Sequence, residues 1–219
     1  MTDFTRSQID RLGKRLRQND ITIEDRHLLD DYRRSFSSAY KKVLFVLGSH
    51  LGLAPTGRPS KSTISIVGKL RRESIRLSQM QDIAGCRVTV LGISEQEAAV
   101  DAIKSIFKKV SVIDRREKPS HGYRAVHIVA EMDGKLIEIQ VRTQLQHLWA
   151  ENVEKASDRF GGDLKYGVGD SRVISRILEL SRLISVAEGQ YSPNSNRDSE
   201  YRALLDNLEE ILRDLSESL

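Results

Sequence analysis

Cysteine occurs once in 219 residues, at Cys86, so the chain has no internal disulfide and no set of thiolates for a zinc site. Its place in the apolar stretch IAGCRVTVL favours a small buried residue over a nucleophile. No apolar run approaches the roughly 20 residues that a membrane span requires. The N-terminus, MTDFTRSQIDRLGKRLRQ, is amphipathic and lacks the apolar core of a secretory signal, so a cytoplasmic location is expected. The phosphate-loop pattern GxxxxGK[ST] is absent, as are internal repeats and low-complexity tracts. Prolines number only four, and 39% hydrophobic with 30% charged residues describes an ordinary helix-rich globular protein. That length holds one generous domain, or one domain with helical appendages.

What is present is uneven charge. There are 35 basic and 31 acidic residues, a net charge of +4. Residues 197–219 hold three Arg and seven Asp or Glu, a balance of −4, which leaves +8 on the preceding 196 residues. A basic body of this kind suits a polyanionic ligand without naming one.

Apolar periodicity predicts helices over residues 5–18 and from 23 to about 52, parted at Asn19 and Asp20. LGLAPTGRPS reads as a Gly/Pro-marked loop and SKSTISIVGKLRRESI as a basic helix. CRVTVLG is a predicted strand, SEQEAAVDAIKSIFKKV a helix opened by Ser94, and VSVIDR a second strand. YRAVHIVAEMDGKLIEIQVRT forms a hairpin about Asp133-Gly134. RTQLQHLWAENVEKASDRF is a long helix, GGDLKYGVGD a loop and SRVISRILELSRLISVAEG another helix, before an acidic amphipathic helix from Glu200 to Leu219. The expected fold is α+β or α/β, a mixed sheet flanked by helices.

The hairpin is the most informative stretch. Counting outward from its turn puts Val126, Ile128 and Ala130 with Ile137, Ile139 and Val141 on one dry face. The other face carries Tyr123, Ala125, His127 and Val129 with Glu138, Gln140 and Arg142. A solvated sheet surface is one reading. The other is a binding floor, because Tyr, His, Gln and Arg supply a stacking ring and directional hydrogen bonds. The loop DRREKPSHG adds Arg115, Arg116 and Lys118 at the same end.

Asp82 precedes a core strand, where a capping or turn role competes with metal binding; together with Glu138 it would supply two carboxylates for Mg²⁺. Lys61, Ser65 and Lys69 recur every four residues and would line one helical face suited to a triphosphate, or else a solvated face.

GRPSKSTISIVGKL, DIAGCRV, HGYRAVH and EIQVRTQLQHLWAE, in this order, closely resemble the RelA/SpoT synthetase domain of alarmone synthetases. The resemblance spans roughly residues 56–169, leaving an N-terminal helical segment at 1–55 and C-terminal helices at 170–219. No hydrolase HD motif accompanies it, so a small stand-alone synthetase is expected. It implies a mixed sheet of nucleotidyltransferase-like type and transfer of pyrophosphate from ATP to the 3′-hydroxyl of GDP or GTP, with Mg²⁺. By motif, Asp82 would bind Mg²⁺, and Glu138 would bind metal or take the hydroxyl proton. Arg58 and Arg87 would sandwich adenine, and Lys61, Ser65 and Lys69 would hold the ATP phosphates. Tyr123 would stack on guanine, while His127, Gln140, Lys118 and Arg142 would order the acceptor.

Two other classes compete. Some single-domain members are toxins that pyrophosphorylate the 3′ CCA end of tRNA; Lys14, Arg15, Arg17, Lys41 and Lys42 could then meet a tRNA backbone, or form a solvated helix face. An antitoxin partner would accompany that role. A nucleotide sensor without catalysis is the third, and Asp82 and Glu138 argue against it. The terminal helices could also join a second copy, and the last of them would pack through Leu204, Leu205, Leu208, Ile211, Leu212 and Leu215 onto the body or onto such a copy.

Overall fold

Threonine hydroxyls start the first two helices. Thr5 accepts the Gln8 N–H to open α1 (Arg6–Gln18), and Thr22 forms a reciprocal capping box with Asp25 to open α2 (Ile23–Arg34). The computed structural model describes residues 4–160 and 163–190; the acidic helix expected from Glu200 lies outside them. The single helix expected from residue 23 to about 52 is divided into α2, α3 (Ser37–Phe45) and a wide turn at Val46–His50. Ser35 explains the break, since its hydroxyl donates to the Tyr32 carbonyl at 2.6 Å and draws the backbone out of the helical ladder.

Five strands, β1 (Pro55–Arg58), β2 (Ala84–Val90), β3 (Val110–Asp114), β4 (Val126–Met132) and β5 (Lys135–Thr143), form one mixed sheet in the order β1-β2-β5-β4-β3. With α4 (Thr63–Arg72), α5 (Ile93–Ile106), α6 (Gln144–Phe160) and α7 (Ser171–Gln190) flanking it, the fold is α+β. The Asp133-Gly134 turn has φ of 51° and 72°, both positive as a type I′ hairpin requires. No helix among the described residues is long and apolar enough to cross a membrane.

Several local readings need correction. Residues expected as loop include the edge strand β1, antiparallel to β2 with Pro55 opposite Val88 and Gly57 opposite Cys86. Proline is tolerated on an edge, and Gly57 is needed because a side chain there would sit 1.6 Å from the Tyr40 hydroxyl. Helix α5 starts at Ile93, not with Ser94 as its cap; the Gly92 N–H is met by the Glu95 carboxylate at 3.1 Å. Strand β4 begins only at Val126, so Tyr123 lies ahead of the hairpin, paired with Ser120 through both backbone hydrogen bonds. Within the stretch GGDLKYGVGD, expected as a loop, the described residues include a short turn of 3₁₀ helix, Leu164–Tyr166.

The chain divides into two compact units. One comprises Met1–Val88, Ile103–Val112 and Ile128–Gln140, the other Thr89–Ala102, Ile113–His127 and Val141–Leu219, counting only the described residues of each. In the first, Leu12 and Leu16 of α1, Ile66 and Leu70 of α4 and Ile137 and Ile139 of β5 are fully buried. In the second, Leu145, Trp149 and Val153 of α6 pack with Val173, Leu180 and Ile184 of α7. The boundary falls inside β5, between Gln140 and Val141.

Candidate active site

Within the first unit the site is built around a buried acid. Asp82 sits just before β2, and each of its carboxylate oxygens has its own ammonium: Lys61 Nζ lies 2.6 Å from Oδ2 and Lys69 Nζ 3.1 Å from Oδ1. Both lysines were expected on one helical face. Only Lys69 is helical, because Ser62 caps α4 and leaves Lys61 in the extended segment ahead of it. The Lys61 N–H donates to the Ile83 carbonyl at 2.7 Å, which fixes its backbone beside Asp82. Burial pushes the Asp82 carboxyl upward, but the charges and hydrogen bonds of Lys61 and Lys69 outweigh it and hold it below the ordinary carboxylate value. Lys61 is drawn below its ordinary value by burial, an effect Asp82 opposes and the Arg58 and Lys69 charges reinforce. Ser65, by contrast, is exposed, with its hydroxyl 2.9 Å from that of Ser62.

The sheet arranges a second set of residues by alternation. Arg58 pairs with Gly85 and Thr56 with Arg87 across β1 and β2, so Arg58 and Arg87 project from the same face. A side chain on Gly85 would approach Glu138 Cβ to 3.3 Å, which places Glu138 of β5 on that face too. Gln140, two residues along, donates its amide to the Glu138 carboxylate at 2.9 Å. The opposite side of β5 is core: Ile137, Ile139 and Val141 are wholly buried, as the sequence requires. Cys86 is buried as well, its thiol pushed up to about 12 by burial and the Glu138 charge, which makes it inert.

The second unit holds the aromatic cluster. The Tyr123 hydroxyl is 2.9 Å from His127 Nε2 and accepts from the Arg142 guanidinium at 2.9 Å. That guanidinium also lies over the Tyr123 ring, 4.9 Å from its centroid. Arg142 is buried, while Tyr123 and His127 are partly exposed. Lys118 stands exposed in the loop that precedes Tyr123. Arg116 of the same loop is engaged by Asp114 at 2.6 Å and Glu97 at 3.6 Å, which gives it a structural task.

Sequence reasoning missed a buried polar network in the same unit. Thr143 caps α6 through the Gln146 N–H, and its hydroxyl donates to the Glu188 carboxylate of α7. Gln146 donates to the same carboxylate at 3.2 Å and is 2.9 Å from the Gln96 amide, which in turn reaches the Val141 carbonyl at 2.8 Å. A signal existed: Glu188 continues the buried stripe Leu180, Ile184 at four-residue spacing, and Gln96 aligns with Ala99, Val100 and Ile103. Gly85 was missed too, since its role depends on a strand 53 positions away.

Residues 57–160 match the family model described as "Region found in RelA / SpoT proteins". An uncharacterized protein of Mycobacterium tuberculosis is 30% identical over 149 residues, 65% of this chain and 55% of that protein. A GTP pyrophosphokinase of Bacillus subtilis is 32% identical over 124 residues, 50% of this chain and 58% of that protein. The chain thus spans about half the length of these curated relatives. Among solved structures, small alarmone synthetase 1 from Bacillus subtilis bound to its product pppGpp has a TM-score of 0.58 at 24% identity, with 73% of this chain and 94% of that chain covered. A GTP pyrophosphokinase family protein from Streptococcus pneumoniae has a TM-score of 0.57 at 23% identity, with coverage of 88% and 98%. Both share the fold. All four motifs lie within the matched segment, and residues 57–160 of this chain are a RelA/SpoT region.

Proposed function

We propose that this chain transfers a pyrophosphoryl group from ATP to the 3′-hydroxyl of GDP or GTP, making the alarmone (p)ppGpp. The observation that carries the reading is Asp82 between Lys61 and Lys69, in the unit whose sheet face bears Arg58, Arg87 and Glu138. Asp82 and Glu138 are hard oxygen donors, a set that suits Mg²⁺ when phosphate oxygens and water complete its shell. These two residues would hold the ion, and when bound it would neutralise charge on the phosphates.

The remaining steps belong to side chains of this chain. Lys61 and Lys69 bind the phosphates, with Ser65 at the α4 N-terminus, and Arg58 and Arg87 flank the adenine. Tyr123, His127, Arg142, Gln140 and Lys118 bind and orient the acceptor. Glu138, steadied by Gln140, takes the proton of the 3′-hydroxyl as its oxygen attacks the β-phosphorus. The bond from that phosphorus to the α–β bridging oxygen breaks, and AMP leaves with the oxygen. Positioning and charge neutralisation supply most of the rate in such transfers. The described helices ahead of residue 56 and α7 (Ser171–Gln190) serve as support for the core at 56–169.

Of the five cations that would meet a tRNA backbone, three are engaged within the protein: Arg15 by Asp25, Arg17 by the Ile75 carbonyl and Lys42 by Asp133 at 2.7 Å. A free guanine nucleotide is therefore the favoured acceptor. Incubation with ATP labelled in the γ-phosphate and, separately, GDP, GTP or bulk tRNA tests this. Label in the guanine nucleotide supports the proposal, and label on tRNA alone overturns it.

A further inference from the structure

The donor half of the site is closed by its own charges. Lys61 and Lys69 take one oxygen of Asp82 each, and the side chains involved are 11%, 22% and 12% exposed for Lys61, Lys69 and Asp82. A divalent ion arriving alone must displace at least one ammonium from the carboxylate. The displaced ammonium would then give up its short contact in a poorly hydrated place, which is costly, although Lys69 retains the more distant Glu73 carboxylate at 4.0 Å. The local balance also disfavours a free cation, since two ammonium groups share the Asp82 carboxylate and the Arg58 charge acts on Lys61 as well, while Glu73 stands off at 4.0 Å from Lys69. A polyphosphate reverses both terms: its oxygens give the lysines new partners, and its charge offsets theirs.

We propose that Lys61 and Lys69 keep Asp82 shut against free divalent metal, and that the ion enters only with a triphosphate that draws both ammonium groups off the carboxylate. The inference rests on Asp82 being the metal-binding acid of the proposed function. The backbone suits such a hand-over. Lys61 is pinned through Ile83 and Lys69 rises from a capped helix, so the two side chains can swing while their origins stay fixed. Linkage then demands reciprocity, with the triphosphate tightening metal binding by the same factor as the metal tightens triphosphate binding.

The test uses the full chain, Mn²⁺ as the paramagnetic probe and α,β-methylene-ATP as a triphosphate that cannot be transferred. Mn²⁺ binding is read by electron paramagnetic resonance, and thermal unfolding is followed in parallel. Wild type without nucleotide is expected to show no Mn²⁺ site that Asp82→Asn removes. With the analogue, Mn²⁺ affinity should rise at least about tenfold, matched by an equal rise in analogue affinity when metal is present. Lys69→Gln should gain Mn²⁺ binding without nucleotide, with a metal-dependent rise in melting temperature absent from wild type; Lys61→Gln gives the same reading from the other oxygen if that variant does not fold. A nucleotide-independent site in wild type that Asp82→Asn abolishes overturns the inference and leaves the donor-site reading intact. Absence of Mn²⁺ binding even with the analogue overturns that reading and the inference with it.

Discussion

The main-chain oxygen of Glu138 lies 2.7 Å from the point that a side chain on Gly85 would occupy. Strands β2 and β5 therefore meet at a spacing only glycine allows, and that contact seats Glu138 on the face shared by Arg58 and Arg87. Gly85→Ala is expected to push Glu138 away, with a stability loss of about 1–3 kcal/mol from overpacking. Turnover should fall more than ATP affinity does. Urea unfolding and nucleotide titration check both, and unchanged turnover would remove Gly85 from any positioning role.

Asp82→Asn removes the charge that lets Lys61 and Lys69 share a buried place. Two ammonium groups would then face each other with only a neutral amide between, and stability is expected to drop by up to about 3 kcal/mol. Turnover should fall at least about a hundredfold. Inorganic pyrophosphate, which can answer both lysines, should restore much of the lost melting temperature in the variant. A variant as stable as wild type, indifferent to pyrophosphate, would show that the three groups are not coupled.

Tyr123→Phe deletes the hydroxyl that meets both His127 and Arg142. With one acceptor of the buried Arg142 guanidinium removed, the cluster loses part of its fixed geometry, at about 1–1.5 kcal/mol per lost hydrogen bond. The expected kinetic signature is a rise of roughly tenfold in KM for the guanine nucleotide with KM for ATP unchanged. A rise in the ATP constant instead would move Tyr123 to the donor side.

Much of this architecture is legible in local pattern. The period-two alternation of KLIEIQVRT sorts Ile137, Ile139 and Val141 into the core, and Asp133-Gly134 declares the turn. Strand β1 is not legible, because Pro55 and Gly57 read as loop until Tyr40 is seen filling the space beside Gly57. The four-residue spacing of Lys61, Ser65 and Lys69 suggested one helical face, yet Lys61 precedes the helix and still reaches Asp82. That convergence joins residues 21 and 13 positions apart, beyond the reach of any helical or strand repeat. Ser35 shows the same limit from the other side: a hydroxyl turned back on the Tyr32 carbonyl ends a helix whose apolar stripe continues through it.

Glu188 offers a measurement that needs no substrate. Its carboxyl is raised above the ordinary value of 4.5 because burial in α7 outweighs the hydrogen bonds from Thr143 and Gln146 and the charges of Arg124 and Arg116. The native state therefore keeps its proton over a range in which the unfolded chain has already lost it. Stability from this group is fully present below the ordinary carboxyl value and is lost as pH rises through the raised one. Glu188→Gln keeps the shape and removes the titration. Across urea melts between about pH 4 and pH 8, the wild-type free energy minus that of the variant is expected to fall as pH rises from the ordinary carboxyl value through the raised one, and to level off above it. Should the difference climb instead, the carboxylate would be stabilised by its neighbours, and the network around Thr143, Gln146 and Gln96 would hold an anion instead of a protonated acid.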